Sequence, residues 1–371
     1  MKLQPKRLSV QIGEHTKYPI IIGINLEKEI LSTLERESQN RRIAIITDSR
    51  VKKMFGQNLL STIKKAGQKA ELLTFAHGET NKSQATVTAL QHALLKKKYG
   101  RDTFIIALGG GVVGDVVGFV AATYLRGVPY IQMPTTLLAM VDSSVGGKVG
   151  INTPFGKNTV GAFHQPKAVI ADLNFLAHQS RKEIINGLME AIKIFFTSDK
   201  DALSLAIELN LDSPLKTREL FQEVIFRSVQ IKAGIAGRDE KESGERSVVN
   251  FGHTIGHSLE LLSGFRLPHG YAVGYGILVE AKIAELMHIL STDECVFIQS
   301  YLKTFGITTA PLRKFSLPKI LKATKGDKKV RGGKPRYVLL SSIGSVYKKD
   351  GQFAHPVPDP VVKKAFQALT K

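Results

Sequence analysis

His253-Thr254-Ile255-Gly256-His257 sets two imidazoles four residues apart, on one face of a helix. In an H-E-x-x-H zinc helix the second position is the Glu that activates water. Here it is Thr254, which argues against peptide hydrolysis. His269 follows Pro268, so three of the ten histidines fall within residues 253–269. Glu190 and Lys193 stand at i, i+3 in GLMEAIK. One Glu and two His with an open fourth position make the pattern of a catalytic zinc site. Spacing alone leaves plainer alternatives: each histidine a satisfied core group, and Glu190–Lys193 a surface ion pair.

A second group is rich in glycine. Gly109-Gly110-Gly111-Val112-Val113-Gly114 fits G-x-G-x-x-G after an apolar run and before a helical one. Such glycines let backbone approach a pyrophosphate at a helix N-terminus. No Asp or Glu stands about 20 residues further on, as the dinucleotide fingerprint requires, so a tight strand–helix turn explains the run equally well. Asp48 and Glu79 follow other apolar runs, where an open sheet places ribose contacts. A third group is polar residues among small ones: Asp142, Lys148, Lys157 and Asn158 in VDSSVGGKVGINTPFGKN. Its lysines suit a phosphate, and the alternative is a solvated loop. Lys232, Arg246 and Asn250 lead up to the histidines, and Lys328-Lys329 lie in GDKKVRGGK, which reads equally as a solvated basic loop.

These residues need elements to hold them. Residues 7–24 read as edge strands and 26–37 as a helix. Short apolar runs at 41–49, 70–75, 103–108, 128–134 and 168–172 read as buried strands, with helices over 51–66, 84–98 and from the glycine run to about Leu125. Alternating strands and helices predict an α/β domain with a largely parallel, Rossmann-like sheet. After Asp172 the pattern turns helical, at 181–208, 215–237, 253–263, 270–290 and 292–304. A short hairpin is expected within 336–349, and Asp359-Pro360 reads as the N-cap and first-turn proline of a last helix. The expectation is an α/β domain over 1–176 and a mainly α-helical domain over 177–371, with a ligand in the cleft between them.

Composition narrows the function classes. With 43% hydrophobic and 23% charged residues, the 371-residue chain is globular rather than disordered. One cysteine, Cys295, excludes an intramolecular disulfide and a Cys-rich zinc site, and suits a reducing cytoplasm. Lys+Arg 52 against Asp+Glu 32 leaves +20, which favours anionic partners. The basic residues are spread along the chain and Trp is absent, which argues against nucleic acid and for a small anionic metabolite. The start of the chain lacks the apolar core of a signal peptide. The nearly uncharged stretch 105–124 is long enough to span a membrane, but it carries five glycines and Asp115, which fits strand, turn and helix better.

DSSVGGK (142–148), TPFGKNTVGAFHQP (153–166), E-x-x-K (190–193), SGERSVVNFGHTIGHSLE (243–260) and HG-x-AV (269–273) together resemble the 3-dehydroquinate synthases. The resemblance runs in order through roughly residues 40–345. It implies a two-domain homodimeric enzyme that uses NAD and a divalent metal, zinc or cobalt. The implied reaction turns 3-deoxy-D-arabino-heptulosonate 7-phosphate into 3-dehydroquinate and phosphate. By position it implies Glu190, His253 and His269 as metal ligands, with Lys193, Asp142, Lys232 and Asn250 around the substrate hydroxyls. Arg246 would pair the substrate carboxylate. Lys148, Lys157, Asn158, His257, one of Lys328 or Lys329, and Arg126 of the neighbouring subunit would surround the phosphate. NAD would meet Asp48, Glu79, Lys82, Gly110, Gly111, Asp115, Thr135, Thr136, Lys148 and Lys157. Two departures stand out: Tyr271 where the family usually has Glu, and His178-Gln179-Ser180 in place of a Thr-Leu-Pro whose Thr contacts the nucleotide.

The rival readings are a sibling sugar-phosphate cyclase, a metal-dependent polyol dehydrogenase and a basic nucleic-acid-binding module. Lys232, Arg246, Asn250 and His257 keep the dehydroquinate-type identities, which favours the carboxylated substrate. A dehydrogenase needs no phosphate-binding lysines, and a nucleic-acid module needs no Glu190 or histidine cluster.

Overall fold

The computed structural model describes residues 3–14, 16–38, 41–242, 244–325 and 334–371. Two units divide the chain: 1–180 with 212–237, and 181–211 with 238–371. In the first, the apolar runs form a seven-stranded sheet. Its strands are β1 (Lys6–Ile12), β2 (Thr16–Gly23), β3 (Arg42–Asp48), β4 (Ala70–Phe75), β5 (Thr103–Gly109), β6 (Tyr130–Pro134) and β9 (Val169–Asp172). They lie in the order β1-β2-β9-β6-β5-β3-β4. Only the edge pair β1–β2 is antiparallel, with Lys6 opposite Ile22.

The middle strands show no polar alternation because both faces are covered. Ile43, Ile45, Phe104 and Ile106 pack on one side with Ile30 and Leu34 of α1 (Glu27–Ser38). Leu59 and Ile63 share that side. They lie on α3 (Gln57–Lys65), which a single turn α2 (Ser49–Val51) precedes. Ala44, Ile46, Ile105 and Ala107 face the other side. They meet Leu90 and Leu94 of α4 (Gln84–Lys96) and Val116 and Val120 of α5 (Gly111–Thr123). Truncating one such fully buried Ile to Ala costs about 2–5 kcal/mol. The apolar stretch 105–124 is therefore β5, a glycine turn and α5. Among the described residues no helix is long and apolar enough to cross a membrane. Gly118 lets α5 lie close: a Cβ there would stand 2.3 Å from Val149 Cγ1.

The 141–158 segment is more ordered than a solvated loop. Asp142 sits in a helical turn, Ala139–Ser143, and then β7 (Lys148–Thr153) and β8 (Gly156–Phe163) form an antiparallel hairpin. The sequence hides the pairing because Gly150 and Gly161 face each other. A Cβ at Gly161 would lie 2.1 Å from Val149 O, so only glycine allows this approach.

The second unit is mainly helical: α6 (Arg181–Ser198), α7 (Ala202–Ile207), α9 (His253–Leu262), α10 (His269–Leu286), α11 (Thr292–Thr304), α12 (Leu317–Lys325) and α13 (Asp359–Thr370). The expected 181–208 helix is two helices, broken at 199–201, where Asp199 Oδ1 accepts from Ala202 N at 3.4 Å. The expected 336–349 hairpin is narrower. β11 (Leu340–Ser342) pairs with β12 (Ser345–Val346), while β10 (Arg336–Val338) pairs instead with β13 (Ala354–Pro356). Asp359 does not cap α13. Pro358 is its N-cap, and Asp359 ion-pairs with Lys325 at 2.8 Å.

α8 (Arg218–Arg238) belongs almost wholly with the sheet. Gln222 Nε2 donates to Ile22 O (2.8 Å) and Gln4 O (2.9 Å). Gly237 admits Gln11 O to within 2.5 Å of where its Cβ would be. A single cut at 176/177 therefore does not separate the units. α8 lies against the antiparallel β1–β2 pair at one end of the sheet, a cover supplied from late in the sequence.

Candidate active site

Three helices of the second unit build one cluster. α6 carries Glu190 and Lys193 on an inward face, 0% and 1% exposed. They are no surface pair: Lys193 Nζ donates to Glu190 Oε2 in the interior. α9 begins at His253, just after Gly252, whose positive φ of 76° suits glycine. Buried Glu280 of α10 accepts from Gly252 N at 2.8 Å and so anchors that start. α9 and α10 cross closely, since a Cβ at Gly276 would stand 1.9 Å from Gly252 O and one at Gly256 3.0 Å from Ala272 O. α10 begins at His269, and Gly270 N donates to Asn186 Oδ1 of α6 at 2.7 Å.

This crossing brings Glu190 Oε1 to 3.3 Å from His269 Nε2 and 3.8 Å from His253 Nε2. Glu190, His253 and His269 offer ligand atoms all within 4.8 Å of one another. His257 lies in the same ring cluster, 5.2 Å from His253 and 6.0 Å from His269 between centroids. His269 Nδ1 lies 3.0 Å from Glu260 Oε2. Burial works against a charged His269, but Glu190 and Glu260 outweigh it and push its pKa up to about 10. The same negative field suits a cation. Two imidazoles and one carboxylate are the donor set of an open zinc site, so the residues fit a divalent metal.

Arg246 and Asn250 lie in the turn Glu245–Asn250 before α9. Arg246 is 2% exposed; its backbone N–H donates to Asp239 Oδ2 (2.9 Å) and its Nη1 to Glu240 O (2.5 Å). Asn250 Nδ2 donates to Glu242 Oε1 at 2.6 Å. Lys328 and Lys329 lie outside the described residues.

In the first unit Asp48, Gly110, Gly111, Thr135 and Thr136 lie at or just after the carboxyl ends of β3, β5 and β6. Gly110 is the extended N-cap of α5. A Cβ there would lie 3.1 Å from Thr136 Cγ2, and one at Gly111 3.1 Å from Ser143 Oγ. The glycine run thus makes a close strand–helix turn at the N-terminus of α5. Thr135 follows β6, and its N–H donates to Gly109 O at 3.0 Å. β5 lies between β3 and β6 in the sheet, so the strand order reverses beside Asp48 and Gly109, where open sheets bind ligands. Asp48 is 5% exposed and already engaged: Oδ1 accepts from Arg50 N and Val51 N at 2.8 and 2.9 Å, and Oδ2 lies 3.0 Å from His77 Nδ1. Exposed Glu79 accepts from Asn152 Nδ2 at 2.8 Å. Lys82 pairs with Asp115; burial pushes the Asp115 carboxyl up and the lysine opposes the shift.

Lys232 of α8 donates to Asp142 twice, to its carbonyl at 2.5 Å and to Oδ1 at 2.7 Å. The pair is formed within the first unit. On the hairpin Lys148 and Asn158 are exposed and Lys157 half-buried; the Asn158 N–H donates to Asn152 Oδ1 at 3.0 Å. Arg126 is exposed in a turn where Leu125 and Arg126 have φ of 49° and 70°.

Sequence reasoning missed Glu260, Glu242, Asn152 and Glu280. Glu260 had a signal: it lies seven residues after His253, on the same helix face. The two departures have local partners. Gln179 Oε1 accepts from Leu137 N at 3.3 Å and its Nε2 donates to Thr135 O at 3.4 Å, bracing the threonine turn. Tyr271 lies near Arg181; burial raises its pKa and the cation lowers it.

Two family profiles tile this chain. The one described as 3-dehydroquinate synthase N-terminal matches residues 72–186, and 3-dehydroquinate synthase C-terminal matches 187–330. This chain belongs to the 3-dehydroquinate synthase family. A 3-dehydroquinate synthase from Syntrophotalea carbinolica is 39% identical over 93% of this chain and 94% of its own. A solved 2-deoxy-scyllo-inosose synthase, complexed with carbaglucose-6-phosphate, NAD+ and Co2+, superposes with a TM-score of 0.88. It is 26% identical, over 98% of this chain and 99% of that one. The 2-epi-5-epi-valiolone synthase ValA from Streptomyces hygroscopicus subsp. jinggangensis, with NAD+ and Zn2+ bound, has a TM-score of 0.85. At 24% identity, over 96% of this chain and 97% of its own, it shows the shared fold. The 3-dehydroquinate synthase family is one of enzymes, and this member is a carbon–oxygen lyase.

Proposed function

We propose that this chain converts 3-deoxy-D-arabino-heptulosonate 7-phosphate to 3-dehydroquinate and phosphate, with Glu190, His253 and His269 holding zinc or cobalt. The observation that carries the reading is the buried Glu190 between two imidazoles, in a chain of this family. NAD would rest on Gly110, Gly111, Thr135 and Thr136, with Asp48, Glu79, Lys82, Asp115 and Lys157 around it. Bound there, the metal would supply Lewis-acid polarisation of a substrate hydroxyl and the dinucleotide a reversible hydride acceptor.

The protein's own groups do the rest. Lys232 holds Asp142 in place, so that its carboxylate accepts from a ring hydroxyl. Lys193 and Asn250 donate to neighbouring hydroxyls. Arg246, its backbone fixed by Asp239, receives the substrate carboxylate. Lys148, Asn158, His257, one of Lys328 or Lys329, and Arg126 of the partner subunit in a homodimer surround the phosphate. They stabilise it as it leaves. The proton lost beside it passes to the phosphate's own oxygen. Ring opening and aldol closure follow, and the net reaction is an elimination without net redox change. The enzyme works in the cytoplasm on a small phosphorylated sugar acid, with no nucleic acid and no membrane as partner.

The test is substrate discrimination. Purified protein with NAD and metal should release phosphate from the heptulosonate phosphate and not from a hexose 6-phosphate, which lacks the carboxylate. Release from the hexose phosphate alone would move the assignment to a sibling cyclase.

A further inference from the structure

Beyond the three ligands, α9 brings a second acidic group to the cluster. Glu260 lies two turns after His253, 2% exposed. Its carboxylate only accepts hydrogen bonds when ionised, and Oε2 stands 3.0 Å from His269 Nδ1. The opposite ring nitrogen, Nε2, faces Glu190 Oε1 at 3.3 Å. One imidazole is thus held between two carboxylates through its two nitrogens.

The backbone around Glu260 is fixed as well. Its carbonyl accepts from Phe265 N (2.9 Å) and Ser263 Oγ (2.7 Å), and Ser263 Oγ in turn accepts from Leu267 N (3.1 Å). The connection from Glu260 to His269 is therefore a braced turn.

We infer that Glu260 is a positioning residue: by accepting the Nδ1 hydrogen of His269 it fixes that ring's tautomer and orientation, so that the Nε2 lone pair meets the metal beside Glu190. The inference rests on the metal ligation proposed above. A ring whose tautomer is free spends part of its time with hydrogen on Nε2, where it cannot ligate. A carboxylate on the far nitrogen removes that state and raises ligand basicity. His253 has a weaker counterpart, since its Nδ1 lies 3.2 Å from the uncharged Phe251 O. Glu260 is also close enough to His257 and His269 to form a second ligand set. The direct Glu260–His269 contact favours orientation over ligation.

The experiment compares wild type with Glu260→Gln and Glu260→Ala, reading metal affinity by chelator competition and the visible spectrum of the cobalt-loaded protein. Gln keeps the shape and an acceptor oxygen but not the charge. Metal affinity should fall about 10–100-fold in Glu260→Ala and less in Glu260→Gln. The cobalt bands should shift in both. Should the Ala variant fail to fold, the near-isosteric Gln variant still decides the matter. Wild-type affinity and spectrum in Glu260→Gln would overturn the inference. So would two tightly bound equivalents in wild type falling to one in Glu260→Gln, because Glu260 would then be a ligand. Metal uptake is read without substrate. A protein that bound metal as described but formed no dehydroquinate would refute the functional reading and leave this one standing.

Discussion

The metal cluster and the glycine turn at the carboxyl end of the sheet are built by opposite means. The cluster is made of side chains: Glu190, Lys193, His253 and Glu260 are all 8% exposed or less, held by one another's charges. The end of the sheet is made of backbone. Gly110 and Gly111 begin a helix, and the Thr135 turn hangs on Gly109 O. A site built from buried charges tolerates little substitution, since removing one partner leaves another uncompensated. A site built from main chain tolerates exchange of the side chains around it. The family's Thr-Leu-Pro is here His178-Gln179-Ser180, and Gln179 still braces the turn.

That contrast orders the expected effects. His253→Ala should remove bound metal and lower kcat to below about one-thousandth of wild type. Metal analysis and steady-state kinetics check this, and full activity without metal would break the ligand assignment. Arg246→Ala should lower kcat/KM about 10–100-fold while metal and NAD binding persist. Unchanged kinetics would remove Arg246 from the site. Gly276→Ala should destabilise by about 1–3 kcal/mol, because its Cβ would stand 1.9 Å from Gly252 O. Thermal unfolding reads the loss, and metal affinity should drop with it, since the α9–α10 crossing positions both histidines. Gln179→Ala should be the mildest, raising the concentration of NAD needed by a few-fold, at about 0.5–1.5 kcal/mol for a neutral hydrogen bond. A loss as large as that in His253→Ala would mean the end of the sheet depends on side chains as the cluster does.

Proton linkage sharpens the same comparison. The metal-free His269 pKa is raised to about 10, so at neutral pH the ring carries a proton that a metal must displace. Apparent metal affinity should rise with pH, about tenfold per unit, up to about pH 10. The sign for stability is the reverse. The proton-dependent stabilisation of the metal-free cluster is complete below the ordinary histidine value and is lost as pH rises through about 10. Calorimetric proton release on metal binding measures the first effect, and melting of the metal-free protein measures the second.

Much of this was legible in the sequence, for reasons that differ by region. The buried strands announced themselves as apolar runs, and helix α11 matched its periodic segment at both ends. The β7–β8 hairpin stayed hidden because facing glycines carry no alternation. α8 was misgrouped because it covers a sheet edge formed far away in sequence. In the cluster, the i, i+4 histidines were visible, but the burial of Glu190 and Lys193 was not. That burial follows from how α6 packs on α10, a tertiary fact that periodicity does not contain.

The most direct test of the central claim is the balance of products from the heptulosonate phosphate, with NAD, before and after a chelator. The account predicts phosphate and dehydroquinate in equal amounts, no net NADH, and loss of both products when metal is stripped and their return when it is restored. NADH accumulating with turnover, or product formation indifferent to the chelator, would contradict it.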